Sequence, residues 1–400
     1  MKVIIDKSTA KGQIFAPPSK SMAHRALICG ALSGKSDINN IEYSKDIFST
    51  LDCLVNMGAN IEKTENGVIV GGLDPFTIKE GTKLYCNESG STLRFLIPLC
   101  LLSGKKIVLT GSSRLFERPL TVYEDICKEQ NINFEKNADS LTVCGKLKSG
   151  KYNVQGDISS QFITGLMFAL PLLYGDSEIC VTGKFESESY IDLTLSALSA
   201  FGIEIARSGN TFYIKGGQKY LSNEYKVEGD CSNAAFLDGL NCLGGNVEVL
   251  GLNDNTLQGD RVYKDIFSRL MRGEKEFDLS DCPDLAPVLF AIAAIKGGAL
   301  FTGTARLKIK ESDRAEAMKD ELAKFGITAV VGENTVEIKN GKIQKPHCEL
   351  YGHNDHRIVM SLALLCTLTG GIIDGAEAVS KSFPDFFEKL TDLKVGVIKQ

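Results

Sequence analysis

One pattern of apolar and polar residues recurs four times along the chain. Each copy has the 3.6-residue period of an amphipathic helix, then a Gly or Asn, then two short strands joined by a polar turn. The copies are LDCLVNMGANIEKTENGVIVGG (51–72), YEDICKEQNINFEKNADSLTVCGK (123–146), LSALSAFGIEIARSGNTFYIKGG (195–217) and KDELAKFGITAVVGENTVEIKNGK (319–342). This repetition predicts a recurring α/β supersecondary unit.

Two weaker copies extend the series, at 263–280 and 384–400. A residue suited to the left-handed conformation follows the helix in most copies, at Gly58, Asn131, Gly202, Gly273 and Gly326. A second apolar helix, such as STLRFLIPLCLLSG, separates the copies. We therefore expect six α/β units grouped three and three, with a boundary near residue 228. The strand KVIID at the N-terminus could pair with either group.

Composition narrows the class of protein. The 400 residues are 43% hydrophobic and 24% charged, with a formal net charge of -5, which argues against a nucleic-acid backbone as the main partner. No secretory signal is evident, and the longest apolar stretch, LAPVLFAIAAI (285–295), is too short to span a membrane. The twelve cysteines are scattered without a C-x-x-C pair, which favours free thiols in the cytoplasm and gives no zinc motif.

The segment PPSKSMAHRA (17–26) places cations at the start of a helix. Lys20 lies where the helix dipole disfavours positive charge by about 0.3–1 kcal/mol. A bound anion would reverse that effect, because backbone N–H groups, Lys20 and Arg25 would then point at it. Ser21 lies one turn before Arg25 on the same face. The alternative is an ordinary solvated helix start.

Similar junctions occur elsewhere in the sequence. CNESGSTLRF (86–95) opens a helix with small residues around Gly90, and Arg118 precedes a proline in RLFERPL (114–120). GDISSQFITGL (156–166) opens a helix with Ser159, Ser160 and Gln161. Each of these segments can hold an anion or a hydroxylated ligand, and helix capping remains the alternative for each.

The C-terminal half repeats the same feature. RLKIKESDRAEAM (306–318) combines Lys310, Glu311 and Arg314, while NDHRIVMSLALL (354–365) and AVSKSFPDFFEKL (378–390) are predicted to open helices with Arg357 and Lys381. Asp284 begins the apolar helix in SDCPDLAPVLFAIAA (280–294), where it could cap the helix or act as a general base. Several cationic helix starts together indicate a site for more than one anionic group.

The same segments, taken in order, resemble the 5-enolpyruvylshikimate-3-phosphate synthase family of enolpyruvyl transferases. The similarity runs nearly end to end through PPSKSMAHRALI, ESGSTLRF, ERPL, DISSQFITGLM, SYIDLTL, EGDCSNAAF, CPDLAP, KESDR, NDHRIVMSLAL and KSFPDFFEKL. It implies an α/β (α+β) fold with two domains in an inside-out barrel, each built of three βαβαββ units around a pseudo-threefold axis. The expected domains are residues 15–228 and residues 1–14 plus 229–400, with the active site in the cleft between them.

The resemblance also implies a reaction. The enolpyruvyl group of phosphoenolpyruvate is transferred to the 5-hydroxyl of shikimate 3-phosphate, by addition and elimination through a tetrahedral intermediate, with release of phosphate. No metal or organic cofactor is expected. The expected partners are these two small molecules, without nucleic acid or membrane, and we expect a cytoplasmic monomer acting in aromatic amino-acid biosynthesis.

By resemblance, each candidate residue takes a role. Asp284, Glu311 and Lys20 would be catalytic, with Asp284 taking the hydroxyl proton and Glu311 with Lys20 transferring protons at carbon. Shikimate 3-phosphate would contact Lys20, Ser21, Arg25, Ser159, Ser160, Gln161, Ser187, Tyr190, Asp284 and Lys310. Phosphoenolpyruvate would contact Lys20, Gly90, Arg118, Gln161, Arg314, Arg357 and Lys381. Glu88 and Arg306 depart from residues common in the family, which leaves their contacts open.

Two alternative functions fit the sequence less well. The related transferase that acts on UDP-N-acetylglucosamine uses a cysteine in the loop before its R-P dipeptide, and GSSRLFERPL has none. A non-catalytic protein that binds anions or RNA ends would not need Lys20, Asp284 and Glu311 together. Its surface would also be more basic and richer in exposed aromatic residues.

Overall fold

The computed structural model describes all 400 residues, and the chain divides into two compact units. One unit comprises Met1–Pro17 together with Glu228–Gln400, and the other is Pro18–Val227. Each unit has its own core of buried aliphatic and aromatic side chains. None of the helices combines the length and apolar composition that crossing a bilayer requires.

The unit Pro18–Val227 contains three four-stranded sheets with one common topology. In each sheet the first strand pairs in parallel with the second, and the second pairs with an antiparallel hairpin. The strands are β3 Ser36–Asn39, β4 Asn60–Lys63, β5 Gly67–Gly71, β6 Lys83–Tyr85, β7 Ile107–Thr110, β8 Asn133–Lys136, β9 Ser140–Cys144, β10 Lys151–Gln155, β11 Ser177–Thr182, β12 Ile205–Ser208, β13 Thr211–Ile214 and β14 Glu224–Lys226. Their orders are β14-β3-β5-β4, β6-β7-β9-β8 and β10-β11-β13-β12.

The other unit repeats this topology in two sheets and shortens it in a third. Its orders are β16-β17-β19-β18, β20-β21-β1-β22 and β15-β2. The strands are β1 Lys2–Ile5, β2 Lys11–Phe15, β15 Asn246–Leu250, β16 Glu276–Asp278, β17 Ala299–Thr302, β18 Ala329–Val331, β19 Thr335–Ile338, β20 Leu350–Tyr351, β21 Gly371–Asp374 and β22 Val397–Lys399.

 The β15-β2 sheet has two strands where each of the other five sheets has four, and that is the single departure from the repeat.

The helices supply the rest of each unit and pack both against one another and against the sheets. In Pro18–Val227 they are α1 Lys20–Leu32, α2 Lys45–Met57, α3 Gly90–Cys100, α4 Ser113–Glu117, α5 Thr121–Glu129, α6 Ser160–Ala169 and α7 Glu188–Ala200. In the other unit they are α8 Cys231–Cys242, α9 Tyr263–Met271, α10 Ala286–Ile295, α11 Arg314–Lys324, α12 His356–Thr369 and α13 Phe386–Asp392. Helices α3, α6, α10 and α12 are buried along nearly their whole length.

The repeat predicted from the sequence is confirmed in its four clear copies. Each copy is a helix followed by an antiparallel hairpin, as in α2-β4-β5 and α11-β18-β19. The residues expected to adopt positive φ after the helix all do so, from 56° at Asn131 to 115° at Gly58. A left-handed residue at this position ends the helix and turns the chain into the strand.

The weaker copy at 263–280 is wrong as a repeat. Helix α9 is followed by β16, but β16 pairs in parallel with β17 as the first strand of the next sheet. No hairpin follows α9, because the strand after it belongs to a different sheet. The copy at 384–400 is completed by the N-terminus, since β22 pairs antiparallel with β1.

The boundaries between the two units lie at slightly different residues from those expected. A division between residues 14 and 15 would cut β2, because Phe15 pairs with Leu250 in the β15-β2 sheet. Glu228, expected in the first domain, groups with the other unit. Its carboxylate accepts hydrogen bonds from Asn253 and Thr256 there, at 2.7 and 2.5 Å.

Candidate active site

The start of α1 holds a half-buried ion pair. Lys20 is the first residue of the helix, and its Nζ lies 2.8 Å from Asp46 Oδ2 near the start of α2. Ser19 occupies the N-cap position, yet its side chain makes no capping hydrogen bond, and the first turn of α1 has no acidic residue. The N-terminus of α1 therefore keeps the positive character that favours an anion.

Arg25 lies one turn further along α1 and is 2% exposed. Its guanidinium donates to the carbonyl oxygens of Ser21 and Tyr190, at 2.7 and 3.0 Å, and to Thr194 Oγ1 at 2.9 Å. Burial lowers the pKa of Arg25 to about 10. Every one of these acceptors is neutral, so this buried cation has an electrostatic requirement that a ligand anion would meet.

A second buried guanidinium belongs to Arg94 on α3. It donates to Gln161 Oε1 at 2.9 Å and to the Pro119 carbonyl at 3.0 Å, and it lies 5.2 Å from the centre of the Phe162 ring. Burial, and then the nearby charge of Arg118, hold the pKa of Arg94 well below its usual range. Two guanidinium groups in such proximity favour a bound anion.

Gly90 is the residue that lets these two arginines approach the start of α3. A Cβ atom at position 90 would lie 2.6 Å from Arg118 Nη1 and 2.8 Å from Arg94 Nη1. Neither distance is compatible with van der Waals contact, so any larger residue would displace a guanidinium. The absence of a side chain at Gly90 is therefore a requirement of the site rather than of the helix.

The remaining candidates of this unit lie at the starts of α6 and α7. Ser159 caps α6 by accepting from Gln161 N at 3.3 Å, and Gln161 Nε2 donates to Ser91 Oγ at 2.9 Å. Ser160 is the first residue of α6 and is buried. Ser187 precedes α7 with φ of 58°, and the Tyr190 carbonyl receives Arg25. Gln161 is thus hydrogen-bonded to Arg94, and the Tyr190 carbonyl is hydrogen-bonded to Arg25.

In the other unit, Asp284 is surrounded by cations. Its Oδ1 lies 2.8 Å from Arg314 Nη1 and 3.3 Å from Lys310 Nζ, and its Oδ2 lies 3.2 Å from Arg357 Nη2. Burial alone would raise the pKa of Asp284, but the charges of Arg357, Lys310 and Arg314 outweigh it and hold that pKa well below the usual range. Asp284 is consequently an ionised carboxylate near neutral pH.

Asp355 orients the arginines of this cluster. It caps α12 by accepting from Arg357 N at 3.0 Å, and its Oδ2 accepts from Arg314 Nε at 2.9 Å and from Ser312 Oγ at 3.1 Å. The carboxylate of Asp355 is fully buried. It therefore fixes Arg314 from one side while Asp284 contacts it from the other.

Glu311 forms the next part of the cluster. Its Oε2 lies 3.0 Å from His356 Nδ1 and 3.8 Å from Lys381 Nζ. Lys381 also donates to the Asn354 carbonyl. The expectation that Lys381 opens a helix is wrong, because it ends the short 3-10 helix Ala376–Lys381 and α13 begins only at Phe386. Lys381 reaches the cluster through its side chain.

Three side chains here are of a type that can bind a metal. Ligand atoms of Glu311, Asp355 and His356 lie within 4.8 Å of one another. Asp355 is already bonded to Arg314, however, and Lys381 lies beside Glu311, so two cations compensate the carboxylates. The donor set fits a proton-transfer cluster better than a divalent cation site.

Asp46, His24 and Asp355 were not predicted from the sequence, whereas Arg94 and His356 lie in CNESGSTLRF and NDHRIVMSLALL, segments predicted to face an anion, but were given no role of their own. Asp260 was not predicted either; it is 3% exposed and accepts a hydrogen bond from Ser232 Oγ. His24 is fully buried and bonds through Nδ1 to Thr50 Oγ1 at 2.8 Å, one turn beyond the Lys20–Asp46 pair. Asp46 and Asp355 stand near helix starts, where acids are common, so neither position gave a signal. Arg306, whose contacts the sequence did not predict, donates to the Ser280 carbonyl.

Comparison with known proteins places the chain in a family. The family model for EPSP synthase (3-phosphoshikimate 1-carboxyvinyltransferase) matches residues 5–390. The chain belongs to the EPSP synthase family. Relatives named 3-phosphoshikimate 1-carboxyvinyltransferase include one from Clostridium kluyveri, 42% identical over 98% of this chain and 97% of that protein. Another, from Clostridioides difficile, is 41% identical over 95% of this chain and 94% of that protein.

Solved structures share the fold of this EPSP synthase family member. The EPSP synthase from Acinetobacter baumannii aligns with a TM-score of 0.78 and 24% identity, covering 100% of both chains. The enolpyruvyl transferase NikO from Streptomyces tendae aligns with a TM-score of 0.76 and 13% identity, covering 99% of this chain and 98% of that one. The fold expected from the sequence, a two-domain α/β enolpyruvyl-transferase architecture, is confirmed.

Proposed function

We propose that the chain transfers the enolpyruvyl group of phosphoenolpyruvate to the 5-hydroxyl of shikimate 3-phosphate, releasing phosphate. Membership of the EPSP synthase family gives the reaction class. The observation that carries the proposal is the division of charge between the two clusters. Arg25 and Arg94 are buried against neutral acceptors, whereas Arg314 and Arg357 are paired with Asp284.

This division suggests how the substrates bind. Shikimate 3-phosphate is assigned to the residues around Arg25, with its anionic groups at Arg25, Ser159 and Ser160 and its ring near Ser21, Gln161, Ser187 and Tyr190. Lys20, Asp284 and Lys310 complete this assignment. Phosphoenolpyruvate carries a phosphate and a carboxylate, and it is assigned to Lys20, Gly90, Arg118, Gln161, Arg314, Arg357 and Lys381. Arginine suits both groups because its planar guanidinium can bind them in a bidentate manner.

In the proposed mechanism Asp284 accepts the proton of the 5-hydroxyl while that oxygen bonds to C2 of phosphoenolpyruvate. Glu311 or Lys20 donates a proton to the methylene carbon, which gives a tetrahedral intermediate. The same group, now deprotonated, then takes a proton back from that carbon, the C2–O bond to phosphate breaks so that phosphate leaves, and the carbon–carbon double bond forms again. The reaction changes no overall oxidation state, so it needs no oxidant or reductant.

The charges around Asp284 bear on its strength as a base. While Arg314, Arg357 and Lys310 neutralise it, Asp284 is a weak proton acceptor. When phosphoenolpyruvate binds the same arginines, its own negative charges offset theirs, so the pKa of Asp284 should rise. The base would therefore become effective only when the second substrate is present.

The test is to incubate the purified chain with shikimate 3-phosphate and phosphoenolpyruvate and to measure inorganic phosphate. Release that requires both substrates, with formation of 5-enolpyruvylshikimate 3-phosphate, supports the proposal. Release with UDP-N-acetylglucosamine in place of shikimate 3-phosphate would favour the related transferase instead. Binding of either anion without release would indicate a non-catalytic protein.

We also propose a cytoplasmic location, which the free state of all twelve cysteines supports, since nine of them are buried without forming a disulfide. The expectation of a monomer stays a prediction. Light scattering of the purified chain would test it.

A further inference from the structure

The turn between β20 and α12 has an unusual backbone. Gly352 O accepts from Asp355 N at 2.9 Å, and the two residues between them, His353 and Asn354, have φ of 49° and 51°. Two successive positive φ values define a type I′ turn, which normally contains Gly. Asn and His adopt positive φ more often than other non-Gly residues, but two in succession still cost free energy, so contacts with neighbouring groups stabilise the turn.

The turn carries groups that bond to the cations around Asp284 and Glu311. The carbonyl of Asn354 receives Lys381 Nζ, and the next residue, Asp355, receives Arg314 and caps α12 at Arg357. A change in either central φ angle would rotate the Asn354 carbonyl and move the Asp355 carboxylate. The conformation of this turn thus sets the positions of three cations assigned to phosphoenolpyruvate.

Glu321 on α11 lies beside the turn and is 1% exposed. Its Oε1 lies 3.0 Å from His353 Nε2, and its Oε2 accepts from Tyr351 N at 2.9 Å. Lys324 Nζ donates to Oε1 at 2.9 Å. Burial would raise the pKa of Glu321, but the hydrogen bonds from His353 and Lys324 outweigh it and lower that pKa. The Glu321 carboxylate is therefore hydrogen-bonded both to Tyr351 in β20, before the turn, and to His353, the first residue of the turn with positive φ.

We propose that Glu321 and His353 are a positioning pair for the phosphoenolpyruvate-binding cations. This inference rests on the function proposed above. The Glu321–His353 bond keeps the turn in its left-handed conformation, and the turn in turn places the Asn354 carbonyl on Lys381 and the Asp355 carboxylate on Arg314. Neither Glu321 nor His353 needs to touch a substrate.

The experiment compares three variants with the wild-type chain. His353→Ala removes the ring that bonds to Glu321, His353→Gln retains a donor, and Glu316→Gln is a matched control on the same helix, where Glu316 forms an exposed pair with Lys319. We expect His353→Ala to raise the KM for phosphoenolpyruvate about tenfold, while kcat and shikimate 3-phosphate affinity change less than about threefold. His353→Gln should recover most of the loss, and Glu316→Gln should match the wild type.

An unchanged KM for phosphoenolpyruvate in folded His353→Ala would overturn the proposal, as would equal losses of affinity for both substrates. If His353→Ala does not fold, Glu321→Gln takes its place under the same criteria. A crystal structure of the variant gives a readout that does not depend on the reaction. There the Asn354 carbonyl should turn away from Lys381, and an unmoved turn contradicts the inference. A wild-type chain that releases no phosphate counts against the proposed function, and the crystal structure still decides the role of the pair.

Discussion

Arg314 Nη1 donates a hydrogen bond of 2.8 Å to Asp284 Oδ1, joining a cation on α11 to the acid that precedes α10. The Arg314 side chain is 3% exposed, whereas that of Asp284 is 20% exposed. The arginine is therefore fixed within the protein, and the carboxylate keeps an open side. That arrangement suits an acid whose task is to meet a substrate hydroxyl.

Substitution of Asp284 by Ala should lower kcat by about 10²–10⁴-fold, the range typical for loss of a general base. Affinity for shikimate 3-phosphate should fall much less, because Arg25 and the serines assigned to it remain. Steady-state kinetics and isothermal titration calorimetry measure the two effects separately. Asp281→Ala, at an exposed acid nearby, is the control. Equal losses in turnover and binding would make Asp284 a binding residue only.

Substitution of Gly90 by Ala should weaken phosphoenolpyruvate binding selectively. The new methyl group would lie 2.6 Å from Arg118 Nη1, so Arg118 must move. We expect the KM for phosphoenolpyruvate to rise by about tenfold or more, since a charge-assisted bidentate contact is lost. Gly34→Ala is a matched control, because its Cβ would meet only Ser222 Oγ at 3.4 Å. A Gly90→Ala variant with the wild-type KM would show that Arg118 does not bind this substrate.

Substitution of Arg25 by Met should stabilise the free protein while abolishing shikimate 3-phosphate binding. Burial lowers the pKa of Arg25 to about 10, so the charged side chain costs folding free energy at neutral pH. Removing such a charge should increase the free energy of unfolding by about 1–3 kcal/mol. Urea unfolding with and without the ligand tests both parts. A less stable variant would mean that the hydrogen bonds of Arg25 outweigh its desolvation.

Substitution of Asp260 by Asn should change how stability depends on pH. Burial, and then the charge of Asp284, raise the pKa of Asp260 from 3.8 to about 6. Between those values the folded state binds more protons than the unfolded state, so the free energy of unfolding falls as pH rises through this window. Asp260→Asn should therefore be more stable than the wild type at pH 8, and this advantage should shrink towards pH 4.

Urea unfolding at several pH values measures this difference. Asp265→Asn, at an exposed acid paired with Arg269 on α9, controls for the loss of one negative charge. If the advantage of Asp260→Asn is the same at pH 4.5 and pH 8, the folded state does not retain the proton.

The sequence predicted the repeated hairpins well because their signals are local. A helical period, a left-handed residue and an alternating pair of strands lie within about 25 residues of one another. Pairing between distant strands has no such signal. The strand after α9 has the same local pattern as the others, and only its partner β17 shows that it begins a new sheet.

The same limit applies to the candidate site. Lys20, Arg314 and Arg357 stood out because a cation in the first turn of a helix opposes the dipole. Among their acidic partners Asp284 was predicted, but Asp46 and Asp355 were not, since they occupy positions where an acid is ordinary. Arg94 lies in the second turn of α3, and only tertiary packing brings it to Gln161. The tertiary contact of Arg94 with Gln161 thus escaped prediction, although Arg94 lies in a segment predicted to hold an anion.

The pairing of β1 with β21 and β22 has a consequence for synthesis on the ribosome. Strand β1 is translated before the unit Pro18–Val227, whereas both of its neighbours in the sheet, β21 and β22, are translated after it. The unit Pro18–Val227 has all its strands soon after residue 227 is made, so it can fold while translation continues. Strand β1 must wait throughout that time with an unpaired edge, which exposes the nascent chain to aggregation until β21 and β22 emerge.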